Sequence, residues 1–137
     1  MEREAAMRNV TARPDGDGAG PGAGRRVLIA EDDASLSTVL LEYLARCDFA
    51  VQATDRPEHV RRWLHAEAGP VLLDGSVFRG MGISLADLPK AAVIYSGDAG
   101  LVEEARRLGL RALRKGSLNG LGEILRMTLR GVEDTPG

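Results

Sequence analysis

The chain has 137 residues, a formal net charge of −2 and a single cysteine, enough for one domain with one core and too little for two. A slight acidic excess argues against a nucleic-acid partner, which selects a basic surplus, and no apolar run is long enough to span a bilayer. The opening "MEREAAMRNV" is charged and lacks an apolar stretch, so it does not read as a signal peptide; a cytoplasmic protein with no membrane partner is the expectation.

In chain order, residues 1–24 end in "RPDGDGAGPGAG", whose Gly, Pro and Asp cost more entropy to order than their few apolar atoms return. They are expected to form a disordered N-terminal tail, with the folded domain at 25–131 and a second flexible tail at 132–137. "RVLIA" is the first strand. From Ala34 to Arg46, Leu36, Val39, Leu40, Tyr43 and Leu44 recur at helical spacing, with Asp33 as N-cap and Cys47 as a small packing residue after the helix. "FAVQA" is the second strand. Asp55 and Pro57 signal a helix start, and Val60, Trp63 and Leu64 share its apolar face, which assigns Trp63 to the core. His59 and His65 on this helix have no third ligand beside them and are not read as a metal site.

"PVLLD" is the third strand, "AAVIYS" the fourth and "LRALRK" the fifth. "DAGLVEEARRLG" is a helix with Leu101, Ala105 and Leu108 on one face and Gly109 as its stop. The last helix, "LNGLGEILRMTLR", turns Leu121, Ile124, Leu125 and Leu129 inward. Strands and helices that alternate, with short and fully apolar strands, predict a parallel sheet covered by helices on both faces, a three-layer α/β domain.

Four of the apolar runs stop at polar residues: Glu31 and Asp32, Asp74, Ser96, and Lys115. In a parallel sheet the strand C-termini share one edge, so these side chains meet although they lie far apart in the chain. Oxygen ligands from Glu31, Asp32 and Asp74 suit Mg²⁺, which prefers a few carboxylates plus water. A carboxylate beside such a metal can attack a phosphoryl group. Asp74 is then the candidate nucleophile, Lys115 the counter-charge and Ser96 the hydrogen-bond donor.

The ordered set "VLIAEDD", "VLLDGS", "VIYSGD" and "ALRKGS" resembles the receiver domain of two-component response regulators over about residues 25–130. The resemblance implies a doubly wound, flavodoxin-like sheet of five parallel strands in the order 2-1-3-4-5. It also implies phosphoryl transfer to Asp74 from a histidine kinase or histidine phosphotransfer protein, direct contact of Asp32 with Mg²⁺, action of Glu31 mostly through water, and a metal shell completed by the Ser76 backbone carbonyl.

Three positions depart from the family pattern. Ala112 stands where the family places a switch aromatic, and Gly116 where a proline often follows the lysine. Asp74 and Ser96 are only 22 positions apart, which predicts a shortened third helix of a turn or two around Ile83 to Leu88. Without the aromatic, the loop from Gly97 to Gly100, expected to be mobile, is left to carry any phosphorylation-driven change. Arg106, Arg107, Arg111, Arg114, Arg126 and Arg130 form either a docking face for an acidic protein or a solvated face with Arg stems covering apolar surface. No further catalytic group suggests an enzyme, and the expectation is a receiver without an effector domain after the last helix. Two functions remain open: a single-domain response regulator signalling through protein contacts, or a pseudo-receiver that binds a partner without phosphorylation.

Overall fold

The computed structural model describes residues 8–11, 25–116 and 118–134. In order, these form β1 (Arg8–Thr11), β2 (Arg26–Ala30), α1 (Ala34–Arg46), β3 (Ala50–Thr54), α2 (Pro57–His65), β4 (Val71–Asp74), α3 (Gly75–Met81), a 3-10 turn at Leu85–Asp87, β5 (Ala92–Ser96), α4 (Ala99–Arg107), β6 (Arg111–Arg114) and α5 (Leu121–Asp134). The strands make one six-stranded sheet in the order β1-β3-β2-β4-β5-β6. From β3 to β6 every pair is parallel, so β2 to β6 realise the expected five-strand order 2-1-3-4-5.

Strand alternation sends successive side chains to opposite faces. On one face Leu28, Leu73 and Ile94 pack with Val60 and Trp63 of α2, Val77 and Phe78 of α3, and Val102 of α4. On the other, Ile29, Leu72 and Val93 pack with Leu40 and Leu44 of α1 and Leu121 and Leu125 of α5. The central strands are apolar on both faces because both are covered. Trp63 is core, as expected, and its indole N–H donates to the Gly69 carbonyl at 2.8 Å. Cys47 is half-buried against the α1/α5 layer.

Helix ends follow local chemistry. Asp33 caps α1 by accepting the Leu36 N–H at 3.1 Å. Pro57 opens α2, but Arg56 is its N-cap and contributes no side-chain bond; Asp55 does not cap. Gly109, at φ +86, lets the Leu110 N–H turn back to the Ala105 carbonyl and closes α4.

The structure differs from the sequence reading in three elements. Within the stretch read as a tail, Arg8–Thr11 pairs antiparallel with β3, Arg8 opposite Ala53 and Thr11 opposite Ala50. This strand covers an edge that would otherwise expose unpaired backbone groups; residues 1–7 and 12–24 lie outside the described residues. At the other end α5 continues to Asp134, beyond the expected boundary at 131, and residues 135–137 lie outside the described residues.

The third helix is the largest correction. It occupies Gly75–Met81, directly after β4, while the Ile83–Leu88 region holds only the 3-10 turn. Asp74 starts the helix by accepting the Ser76 N–H at 2.9 Å and the Val77 N–H at 3.3 Å, and Gly82 ends it in the left-handed conformation at φ +71. Val77, Phe78 and Met81 form its buried face. An N-cap aspartate, an i, i+1, i+4 apolar set and a terminal glycine were the available signals; two glycines within a seven-residue segment obscured them.

Candidate functional site

The chain runs from β2 outward to β3 and then crosses β2 to continue on the other side with β4. The C-terminal ends of β2 and β4 are therefore the switch point, where open α/β sheets leave a crevice. Glu31 and Asp32 leave β2 there, and Asp74 ends β4. One carboxylate oxygen from each of these three residues lies within 4.8 Å of the others. Glu31 and Asp74 are 4% and 5% exposed, whereas Asp32 is open to solvent.

Lys115, one residue past β6, reaches across the edge into this cluster. Its Nζ lies 2.5 Å from Asp74 Oδ1 and 2.9 Å from Glu31 Oε1. The backbone aims it: the Lys115 N–H donates to the Ser96 carbonyl at 2.9 Å, extending the β5–β6 ladder by one bond. The ammonium also sits 5.9 Å from the centre of the buried Tyr95 ring.

Glu31 is held by its own backbone N–H, which donates to the Thr54 carbonyl at 3.0 Å, and by Oε2, which accepts the Asp33 N–H at 3.1 Å. Its buried Oε1 accepts no aligned hydrogen bond; Lys115 is near enough to attract it, but out of line. Burial pushes the Glu31 carboxyl above its ordinary value, with Asp74 adding to the rise and Lys115 and the Asp33 N–H opposing it. For Lys115, burial disfavours the ammonium, yet the hydrogen bond to Asp74 and the charges of Glu31 and Asp74 outweigh it and hold the group above its usual range.

Asp74 and Lys115 thus meet as expected, and Glu31 and Asp32 join them. Ser96 sits at the neighbouring strand end, with its Oγ accepting the Asp98 N–H at 3.0 Å. A Cβ placed on Gly75 would come within 3.0 Å of that Oγ, so glycine lets the first turn of α3 close against Ser96. Ser76, whose backbone carbonyl is the expected further metal ligand, is the second residue of α3 and donates its N–H to Asp74 Oδ2 at 2.9 Å.

The donor set nevertheless fits a hard divalent cation. Three carboxylates converge, two of them buried, and one buried oxygen lacks an aligned partner. An added positive charge would satisfy Glu31 Oε1 and relieve the repulsion that a single lysine opposes alone.

Two residues that sequence reasoning had not placed in the site belong to its rim. Arg79 of α3 pairs with Asp98 at 3.0 Å, and Asp98 Oδ1 caps α4 through the Gly100 and Leu101 N–H groups. The Gly97–Gly100 segment is thereby anchored from two sides. The Gly–Asp–Ala pattern after "VIYS" signalled the cap, but nothing local signalled the pairing with Arg79.

Several of the C-terminal arginines have contacts of their own. Arg106 donates through two nitrogens to the Ala112 carbonyl at 2.9 and 3.2 Å, Arg107 pairs with Glu104, and Arg126 lies over the Phe49 ring at 5.7 Å. Ala112 itself is buried beneath α4.

The fold is that of known receiver domains. A response regulator receiver protein from Burkholderia phymatum matches with a TM-score of 0.59 and 25% identity, covering 77% of this chain and 95% of its own. The BeF3-activated N-terminal receiver domain of Klebsiella pneumoniae RstA matches with a TM-score of 0.59 at 19% identity, covering 77% and 99%. A signal receiver domain from Vibrio parahaemolyticus matches with a TM-score of 0.61 at 17% identity, covering 80% and 92%. No protein-family model matches the sequence, and no curated protein matches it. The chain has the response-regulator receiver fold over most of its length. Among the described residues, no helix is long and apolar enough to cross a membrane.

Proposed function

We propose that the protein is a response-regulator switch that accepts a phosphoryl group on Asp74 and signals through protein–protein contacts. The observation that carries this reading is the meeting, at the sheet's switch point, of Asp74 with Glu31, Asp32 and the Lys115 ammonium. The donor is a phosphohistidine on a histidine kinase or histidine phosphotransfer protein, and the protein acts in the cytoplasm without nucleic acid or membrane, as a substrate of transfer and not as an enzyme.

In the step proposed, an Asp74 carboxylate oxygen forms a bond to phosphorus as the phosphorus–nitrogen bond of the donor breaks, and the departing imidazole nitrogen keeps the electron pair. Lys115, already on Asp74 Oδ1, neutralises charge on the acceptor and then on the new phosphoryl oxygens. Ser96 donates its hydroxyl proton to one of those oxygens. Glu31, Asp32 and Asp74 would hold Mg²⁺, which when bound supplies further positive charge to the phosphoryl oxygens.

One observation favours a second reading, a pseudo-receiver that binds its partner unphosphorylated. Asp74 is also the N-cap of α3, with Oδ2 engaged by two backbone N–H groups. The same experiment separates the two. Acetyl phosphate with Mg²⁺ is expected to add one phosphoryl group by intact-protein mass spectrometry, and Asp74→Asn to block it while keeping the cap, since asparagine caps as well as aspartate. No mass increase on the folded wild-type protein would exclude phosphoryl acceptance and leave the pseudo-receiver.

A further inference from the structure

Arg79 and Asp98 bridge the two elements that flank the phosphoacceptor. Asp98 is engaged from four directions. Its Oδ1 accepts the Gly100 N–H at 2.9 Å and the Leu101 N–H at 3.3 Å, its Oδ2 accepts from Arg79 at 3.0 Å, and its own N–H donates to Ser96 Oγ at 3.0 Å. The Arg79 side chain folds back over the first turn of α3. One guanidinium nitrogen lies 3.5 Å from the point a Gly75 Cβ would occupy, and Ser96 Oγ lies 3.0 Å from the same point. The guanidinium therefore stands at the rim of the site, one residue from Asp74.

A hydroxyl has one proton to donate and two lone pairs. The Asp98 N–H takes one lone pair of Ser96, which leaves the hydroxyl proton for another acceptor and limits the rotations that keep the contact. Whatever fixes Asp98 therefore fixes Ser96. α4 fixes it from one side through the cap; only Arg79 ties it to α3, the helix that Asp74 itself starts.

We infer that Arg79, acting through Asp98, is a positioning residue that holds the Ser96 hydroxyl in place for the phosphoryl group on Asp74; the inference rests on the phosphoacceptor reading. Both partners of the ion pair are about half exposed, at 56% and 51%. An exposed pair shifts an equilibrium by only about twofold to fivefold, and salt weakens it.

The test uses the full chain and the variants Arg79→Ala and Arg79→Lys. In Arg79→Ala, amide hydrogen exchange at Asp98 is expected to speed up about twofold to fivefold while Val93 in β5 stays unchanged, and Arg79→Lys is expected to restore most of the protection. Phosphoryl uptake from acetyl phosphate and Mg²⁺ is expected to slow by a similar factor in Arg79→Ala, with the ratio to wild type approaching one in 1 M NaCl, where the screening length is about 3 Å. Unchanged Asp98 exchange in Arg79→Ala would overturn the inference. So would faster exchange with an unaltered uptake rate, because Ser96 would then need no positioning. If the wild type takes up no phosphoryl group, it is the phosphoacceptor reading that fails, and the exchange rates alone decide whether Arg79 holds Asp98.

Discussion

Lys115→Ala removes the one cation that, among the described residues, faces two buried carboxylates. Glu31 and Asp74 are 4% and 5% exposed, and Lys115 Nζ is 2.9 and 2.5 Å from their oxygens. Breaking a buried ion pair by deleting one partner costs about 3–5 kcal/mol. The lysine side chain is itself 25% exposed, so water enters the space it leaves, and we place the cost lower, at about 2–3 kcal/mol. For a domain of this size that is a fall in melting temperature of about 8–12 °C. The assay is urea unfolding at pH 7 without divalent cations, with the slope m as a check that the unfolded state is unchanged.

The pH dependence has a definite sign. Glu31 has a folded pKa above its unfolded value of 4.5, so the folded state binds the proton more tightly. Stability then declines as pH rises from the unfolded pKa through the folded one, and is flat above. Losing Lys115 removes a group that lowers the Glu31 pKa, so the decline widens in the variant. The deficit relative to wild type is therefore expected to be largest near neutral pH and to shrink on acidification toward pH 4.5. For Lys115 the folded pKa is raised above 10.5, and its stabilisation is complete below that value and lost as pH rises through the folded pKa. A deficit below about 0.5 kcal/mol at pH 7, the range of an exposed pair, would refute the reasoning.

Two further outcomes follow from the geometry. Millimolar Mg²⁺ is expected to raise the melting temperature by mass action, and the rise to shrink on acidification, because burial raises the Glu31 pKa and protons compete with the metal there; Asp32→Ala is expected to abolish the rise, and an equal rise in that variant would refute the three-carboxylate site. Gly69→Ala is expected to cost about 2–5 kcal/mol in urea unfolding, because at φ +134 its Cβ would lie 2.3 Å from the Arg26 carbonyl oxygen, whereas Gly82→Ala, at φ +71 with open space around it, should cost only about 1 kcal/mol. Similar losses in the two variants would refute the clash at Gly69.

Most of the parallel sheet and the acidic cluster could be read from the sequence, for a physical reason. Apolar runs such as "VLIA" and "VLL" are long enough only for strands, and each ends at a polar residue; parallel pairing then brings those ends to one edge, whatever the details of packing. Capping is equally local, so Asp33 and Gly109 acted where they were expected to act. The placement of α3 depended on a choice between two weak helix signals. It was decided by tertiary burial of Val77, Phe78 and Met81 beside β4. β1 has four residues, too few for a periodic signal, and exists only because the edge of β3 offers it a partner. The contacts that define the site's chemistry are of the same non-local kind. Lys115 reaches Asp74 from 41 positions away and Arg79 reaches Asp98 across 19. Sequence alone determined which charges arrive at the sheet edge, because strand length and alternation are short-range properties. Which of them touch was decided by the order of strands and the tilt of the helices, which no local pattern encodes.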